Sequence, residues 1–124
     1  MAKPEMEFFD TELIPWKPVE GAPPGVYEKI LSIDPETGSY TRLLMSAPDM
    51  HAYISHPEIP PGKTLCHDDF LEENFIIRGT LIDTVHNKTY KAGYYACRPL
   101  GMKHGPFFHP TGAITLEIRT RVKS

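Results

Sequence analysis

Two histidines and a knot of carboxylates are the groups in this 124-residue chain whose types and spacing could do chemistry. The segment His67-Asp68-Asp69-Phe70-Leu71-Glu72-Glu73 offers one imidazole and several acids at short range. Along an extended strand, side chains two apart share a face, so His67 and Asp69 point together while Asp68 points away. His104 follows a turn set by Pro99 and Gly101, by which a distant strand can return a second nitrogen to the same place. A carboxylate from Glu73 would complete four ligands. Neutral imidazoles and carboxylates suit Fe(II), Mn(II), Zn(II), Co(II) or Ni(II), and a two-His, one-carboxylate face with open positions favours non-haem Fe(II). Glu72 competes with Glu73 for the inward position; strand parity favours Glu73, which shares a face with Phe75 and Ile77. Either acid can instead act as general base on an acidic C–H bond. Arg98, on the strand that feeds His104, either holds an anionic substrate or covers the rim of the fold. Cys66 adjoins His67 and projects to the other face, so no thiolate ligand is expected there.

Each group also has a plainer reading. His104 is then a loop histidine, His67 a structural one, and the acids a solvated turn. His51, His56, His86 and His109 lack paired spacing and read as surface or peripheral groups. The aromatics Tyr53, Tyr94, Tyr95, Phe75, Phe107 and Phe108 read as core.

The elements that must position these residues are almost all β. Thirteen Pro and nine Gly punctuate the chain, and no helical period runs longer than two turns. Residues Gly25 to Ile33 and Ser39 to Ala47 flank Asp34-Pro35-Glu36-Thr37-Gly38, where Pro presets a turn and Gly can take positive φ, the best hairpin in the sequence. Further strands are expected over Ala52 to Ser55, Thr64 to Asp68, Glu73 to Ile77, Thr80 to His86, Tyr94 to Arg98 and Ala113 to Val122. Many short strands with regular turns predict an all-β double-stranded β-helix, or jelly roll. Residues 1–24, rich in Pro, read as an extended arm, and residues 25–124 as a single barrel domain.

Composition narrows the function classes. A chain of 124 residues can bury roughly two-thirds of its unfolded surface, so a sizeable core is expected. Thirteen basic and sixteen acidic residues, interspersed, give a net charge of only -3 and no electrostatic footprint for nucleic acid. No 18-residue apolar run and no basic-then-apolar leader occur, so neither membrane insertion nor export is expected. Two cysteines, Cys66 and Cys97, fall far below the density of a disulfide scaffold and read as reduced, in a cytoplasmic protein. A jelly roll has edge strands to cover, and the arm carries Phe8, Phe9 and Trp16, so a homodimer is expected.

The string Gly93, five residues, Pro99, one residue, Gly101, two residues, His104 resembles the second signature of the cupin family with every spacing intact. The segment from Gly62 through His67, Asp69 and the acid pair to Gly79 resembles the first, with three departures. Gly62 stands one residue nearer His67 than usual, Asp69 occupies the second histidine's place, and the distance to Gly79 fits Glu72 while the distance from Asp69 fits Glu73. Phe108 replaces the Asn that usually closes the second signature. The resemblance spans most of Pro60 to Thr120 and is nearest to small ChrR-like and acetylacetone-cleaving cupins. It implies a cupin barrel with a divalent metal, Fe(II) preferred, held by His67, Asp69, Glu73 and His104. It also implies an Fe(II) dioxygenase that uses O2 to cleave a C–C bond of a dicarbonyl or oxygenated aromatic metabolite. A carboxylate at Asp69 in place of an imidazole adds negative charge beside the metal, which alters how an enolate would bind. Two other readings stand beside this one: a non-oxidative isomerase, lyase, decarboxylase or cyclase acting on a carbonyl compound, and a metal- or ligand-binding sensor without turnover.

Overall fold

The computed structural model describes residues 2–22, 24–48, 50–51, 69–84, 86–103 and 107–122. Within them the chain is built from strands β1 (Lys17–Pro18), β2 (Val26–Ile33), β3 (Tyr40–Ser46), β4 (Met50–His51), β5 (Phe70–Asp83), β6 (Lys88–Lys91), β7 (Tyr95–Arg98), β8 (Phe107–His109) and β9 (Ala113–Arg121). The 3-10 turn Thr11–Leu13 is the one helical element among them. The strands expected over Ala52 to Ser55 and Thr64 to Asp68 lie outside the described residues.

All the pairings are antiparallel, in the order β1-β2-β3-β9-β5-β8-β4, with β6 and β7 also on β5. The two sheets share β5. Its first part pairs with β9 and β7, and its last four residues pair with β6 and β8. The expected strands Glu73 to Ile77 and Thr80 to His86 are thus parts of one 14-residue strand that changes sheet, and Thr84 and His86 lie in turn structure beyond its end. A register shift between Ile76 and Arg78 marks the crossing, as bulges do at barrel corners. Gly79 makes the crossing possible: its φ is +91°, and a Cβ there would stand 2.1 Å from the Gly112 carbonyl oxygen. The layout is a jelly roll.

The β2–β3 hairpin forms where the sequence indicates. Asp34 N–H donates to the Ser39 carbonyl at 2.8 Å, and the Asp34 carboxylate accepts from the Glu36 and Thr37 amides. Gly38 takes a φ of +79°. The N-terminal segment is tied to the outer face of β2 and β3. Lys29, buried, donates its ammonium to the Thr11 carbonyl at 3.0 Å and lies 4.8 Å over the Trp16 ring, while Lys3 reaches Thr41 Oγ1 at 2.8 Å. A carbonyl and an aromatic face together replace the water an ammonium loses on burial.

Among the described residues only Val26, Ile76 and Ala113 are buried apolar residues, whereas Lys29, Asp34, Glu72, Asp83, His109, Thr115 and Glu117 are buried polar ones. On β9 the cavity side carries Thr115, Glu117 and Arg119 and the other side Ile114, Leu116 and Ile118, while Val26, Leu44 and Ile76 add apolar patches to the cavity side.

Candidate functional site

A cavity of about 740 Å³ lies between the two sheets. Its wall is set by strand register. Tyr40, Arg119, Glu72 and Arg98 are direct cross-strand neighbours on β3, β9, β5 and β7. One step along, Arg42, Glu117 and Asn74 form a parallel row. Facing side chains on adjacent strands stand within reach of one another, so acids and arginines on these rows interlock. Arg42 bonds Glu28 at 2.8 Å and Glu117 at 2.6 Å. Arg119 lies 3.4 Å from Glu117 and 3.3 Å from Glu72 Oε1. Glu72 Oε2 accepts from Arg98 at 2.5 Å and from Asn74 at 2.7 Å.

Aromatic rings brace the guanidiniums. Arg119 lies 4.5 Å from the Phe70 ring centre and Arg98 5.3 Å from that of Phe107, which belongs to the opposite sheet. Burial pushes the Glu72 carboxyl up, but Arg119, Arg98 and their hydrogen bonds outweigh it and hold the group below the usual carboxylate range. Burial and the Glu117 charge push the Tyr40 phenol above its ordinary value. The wall is therefore a chain of permanent charges.

At the far end of the cavity, buried Asp83 holds His86. Its Oδ2 lies 3.0 Å from His86 Nδ1 and its Oδ1 accepts the His86 amide at 3.0 Å. His109, also buried, joins the lining. His86 is mostly exposed, as its unpaired spacing suggests, whereas His109 is buried.

Of the residues assigned to catalysis or metal binding from the sequence, Glu72 and Arg98 face the cavity. His67 and His104 lie outside the described residues. Asp69 does not line the cavity; it is half exposed and pairs with Arg121 at 3.0 Å. Glu73 is not the inward acid: it shares a face with Phe75 and Ile77, but that face is the convex one, where Glu73 accepts from the Tyr95 hydroxyl at 2.6 Å and both apolar residues are exposed. The physical reason is that the cavity wall is ionic, so apolar partners do not mark the inward side. Phe75 and Tyr95, expected in the core, are surface residues.

Among the described residues no three His, Cys, Asp or Glu side chains stand together in a way that could hold a metal ion. Glu72, the acid with the inward position, is flanked by two guanidiniums that a divalent cation would have to approach. The described donors do not fit a metal; they fit an oxyanion, for which arginine offers paired N–H donors.

Sequence reasoning missed Arg42, Arg119 and Glu117. The available signal was Thr115, Glu117 and Arg119 alternating with Ile114, Leu116 and Ile118, which marks a two-faced strand but not which face turns inward.

Three comparisons bear on this arrangement. The family described as the ChrR cupin-like domain matches residues 4–121. No curated protein matches. Solved structures do: an RmlC-like cupin from Shewanella frigidimarina superposes with a TM-score of 0.68 at 17% identity, covering 96% of this chain and 93% of that one. An acetylacetone dioxygenase from Acinetobacter johnsonii gives 0.65 at 18%, covering 95% and 74%. The anti-sigma ChrR in complex with Rhodobacter sphaeroides SigE gives 0.60 at 18%, covering 90% and 52%. At these identities the likeness establishes the fold.

Proposed function

The chain belongs to the ChrR cupin-like domain family, and from that premise we propose that it is a small-molecule enzyme whose cavity receives an anionic, oxygen-rich metabolite. The substrate class is a carboxylate or the enolate of a dicarbonyl. The observation that carries this reading is the Arg98-Glu72-Arg119 cluster on the wall of a cavity of about 740 Å³, a size within the usual range of small-molecule sites. Arg98 and Arg119 are the binding groups. Glu72, held ionised, is a weak proton acceptor; its role is to fix the two guanidiniums, which makes it a positioning residue. His86, its Nδ1 held by Asp83, is the better-placed group to move a proton.

The finer reading is oxidative: a non-haem Fe(II) dioxygenase cleaving a C–C bond of a dicarbonyl or oxygenated aromatic metabolite, with Mn, Zn, Co or Ni as other candidate metals. Its support is the intact spacing from Gly93 to His104 and the fold shared with an acetylacetone dioxygenase. A non-oxidative isomerase, lyase, decarboxylase or cyclase uses the same cavity. A ligand-binding sensor without turnover is favoured by one specific observation, the arginine clamp on Glu72, which occupies an acid that would otherwise be free for chemistry.

The test is elemental analysis of protein purified without added metal or chelator, for wild type, His67→Ala and His104→Ala, followed by O2 uptake with a small β-dicarbonyl. Near-stoichiometric metal lost in both variants, with substrate-dependent O2 uptake, supports the dioxygenase. Bound metal and turnover without O2 uptake support the non-oxidative enzyme. Carboxylate binding without turnover, even after anaerobic Fe(II) reconstitution, overturns the enzyme in favour of the sensor.

A further inference from the structure

The cavity changes character along the strands. Its first row, Tyr40, Arg119, Glu72 and Arg98, and its second, Arg42, Glu117 and Asn74, are ionic or polar. The same register sets Leu44, Thr115 and Ile76 side by side in a third row, and Val26, Ser46 and Ala113 in a fourth. Ile76 stands four positions along β5 from Glu72, about 13 Å at the rise of an extended strand. Leu81, from the part of β5 in the smaller sheet, lines the same cavity. So does Val19, whose amide donates to the Val26 carbonyl at 3.1 Å. Apolar side chains thus border the open space from both sheets and from the N-terminal segment.

We propose that the cavity takes an amphiphilic oxyanion, a carboxylate or dicarbonyl enolate whose oxygens meet Arg98 and Arg119 and whose aliphatic tail lies along Leu44, Ile76, Val26 and Ala113. This rests on the anion-binding role given above to the two arginines, and adds the polarity of the rest of the ligand.

The head and the tail are argued from separate observations. Arg119 Nε is buried and makes no hydrogen bond among the described residues, although it lies 3.4 Å from a Glu117 oxygen. A buried donor without an acceptor is costly, and an oxyanion beside Arg98 and Arg119 supplies one. In the third and fourth rows the situation is reversed. Thr115 and Ser46 bring the hydroxyls there, and the other side chains offer hydrocarbon. Water finds few partners against such a surface, while an aliphatic tail gains by covering it. A polyhydroxylated chain would leave most of its hydroxyls unpaired. A second carboxylate at the tail end would meet no cation in these rows. The cavity therefore selects against sugar acids and dicarboxylates of the same length, and the apolar residues of β2, β3, β5 and β9 set that specificity.

The experiment is isothermal titration calorimetry of the full chain with butanoate, hexanoate, gluconate, adipate and hexanol, the weaker ligands being read by displacement of hexanoate. Hexanoate should bind about tenfold more tightly than butanoate, the gain expected from burying two methylenes. Gluconate and adipate should each bind at least tenfold more weakly than hexanoate. Leu44→Gln should cut the hexanoate-to-butanoate ratio at least threefold, and if it unfolds, Ile76→Thr is read in the same way. Arg98→Lys should weaken butanoate and hexanoate by the same factor, because it alters the head alone. Equal affinities for butanoate and hexanoate, gluconate or adipate binding as tightly as hexanoate, or a ratio indifferent to the tail variants overturns the tail and leaves the arginine site standing. Hexanol binding as tightly as hexanoate, with Arg98→Lys without effect, overturns the arginine site and this proposal with it, as does the absence of binding by every ligand.

Discussion

Replacing Glu72 by Gln keeps the shape of the side chain and removes one charge from between two guanidiniums. Glu72 is 3% exposed, and the side chains of Arg98 and Arg119 are 11% and 23% exposed, so the interaction is little screened by water. At an effective dielectric constant near 20 each ion pair at about 4 Å contributes about 4 kcal/mol of attraction, and the cost of desolvating the ions offsets much of it. Neutralising one partner removes the attraction and leaves the cations buried, a loss of about 3 to 5 kcal/mol. Arg119 keeps Glu117 at 3.4 Å, which places the expected loss near the lower end, about 3 kcal/mol, or about 10 °C in Tm for a chain of this length. The pH dependence has a definite sign. Glu72 is held below its ordinary value, so its contribution is present above the unfolded carboxylate pKa of about 4.3 and is lost as pH falls through the lower folded value. Urea unfolding followed by circular dichroism should therefore show a gap of about 3 kcal/mol between wild type and Glu72→Gln at pH 7 that narrows below about pH 4. The double variant Glu72→Met/Arg98→Met should lose less than Glu72→Gln, because it strands one fewer cation. A gap under about 1 kcal/mol at pH 7, or one that persists unchanged into acid, would refute the clamp.

Two further outcomes follow from the same geometry. Gly79→Ala should lose about 3 kcal/mol or more in urea unfolding, since it adds backbone strain to a Cβ 2.1 Å from a carbonyl oxygen, whereas Gly38→Ala, at positive φ but in open space, should lose about 1 kcal/mol; equal losses would mean the close approach at Gly79 is not rigid. Asp69→Asn and Glu73→Gln should leave metal content and carboxylate affinity by calorimetry at wild-type levels, because Asp69 does not line the cavity and Glu73 lies on the convex face; a sharp drop in either would bring that acid back to the cavity.

How far the site was legible depended on which physical rule each residue obeyed. The β2–β3 hairpin was readable because Asp34, Pro35 and Gly38 act locally: their preferences for turn geometry hold whatever surrounds them. The jelly roll was readable for a related reason, since many short strands divided by Gly and Pro leave few ways to close a sheet, and the string from Gly93 to His104 narrowed these to one family. Arg98 was legible as a candidate because it lies within that string, directly before Pro99. The inward acid was not. Glu72 and Glu73 are adjacent, so choosing between them means choosing a face, and alternation gives a period without a direction.

What the sequence by itself determined is thus the fold class, the two-faced alternation of the long strands and the family. What only the tertiary structure decided is the sense of that alternation. Register sets Glu72 opposite Arg119 and Arg98 and Glu117 opposite Arg42, and these residues come from strands up to several dozen positions apart. Their mutual neutralisation lets the charged face turn inward around the cavity. The opposite face, with Leu43, Leu116 and Phe75 in one row, is left outside, where the chain's own arm covers its Lys29 end. No local rule anticipates this, because the energy of a buried charge depends on partners that are neighbours only once the sheet has formed.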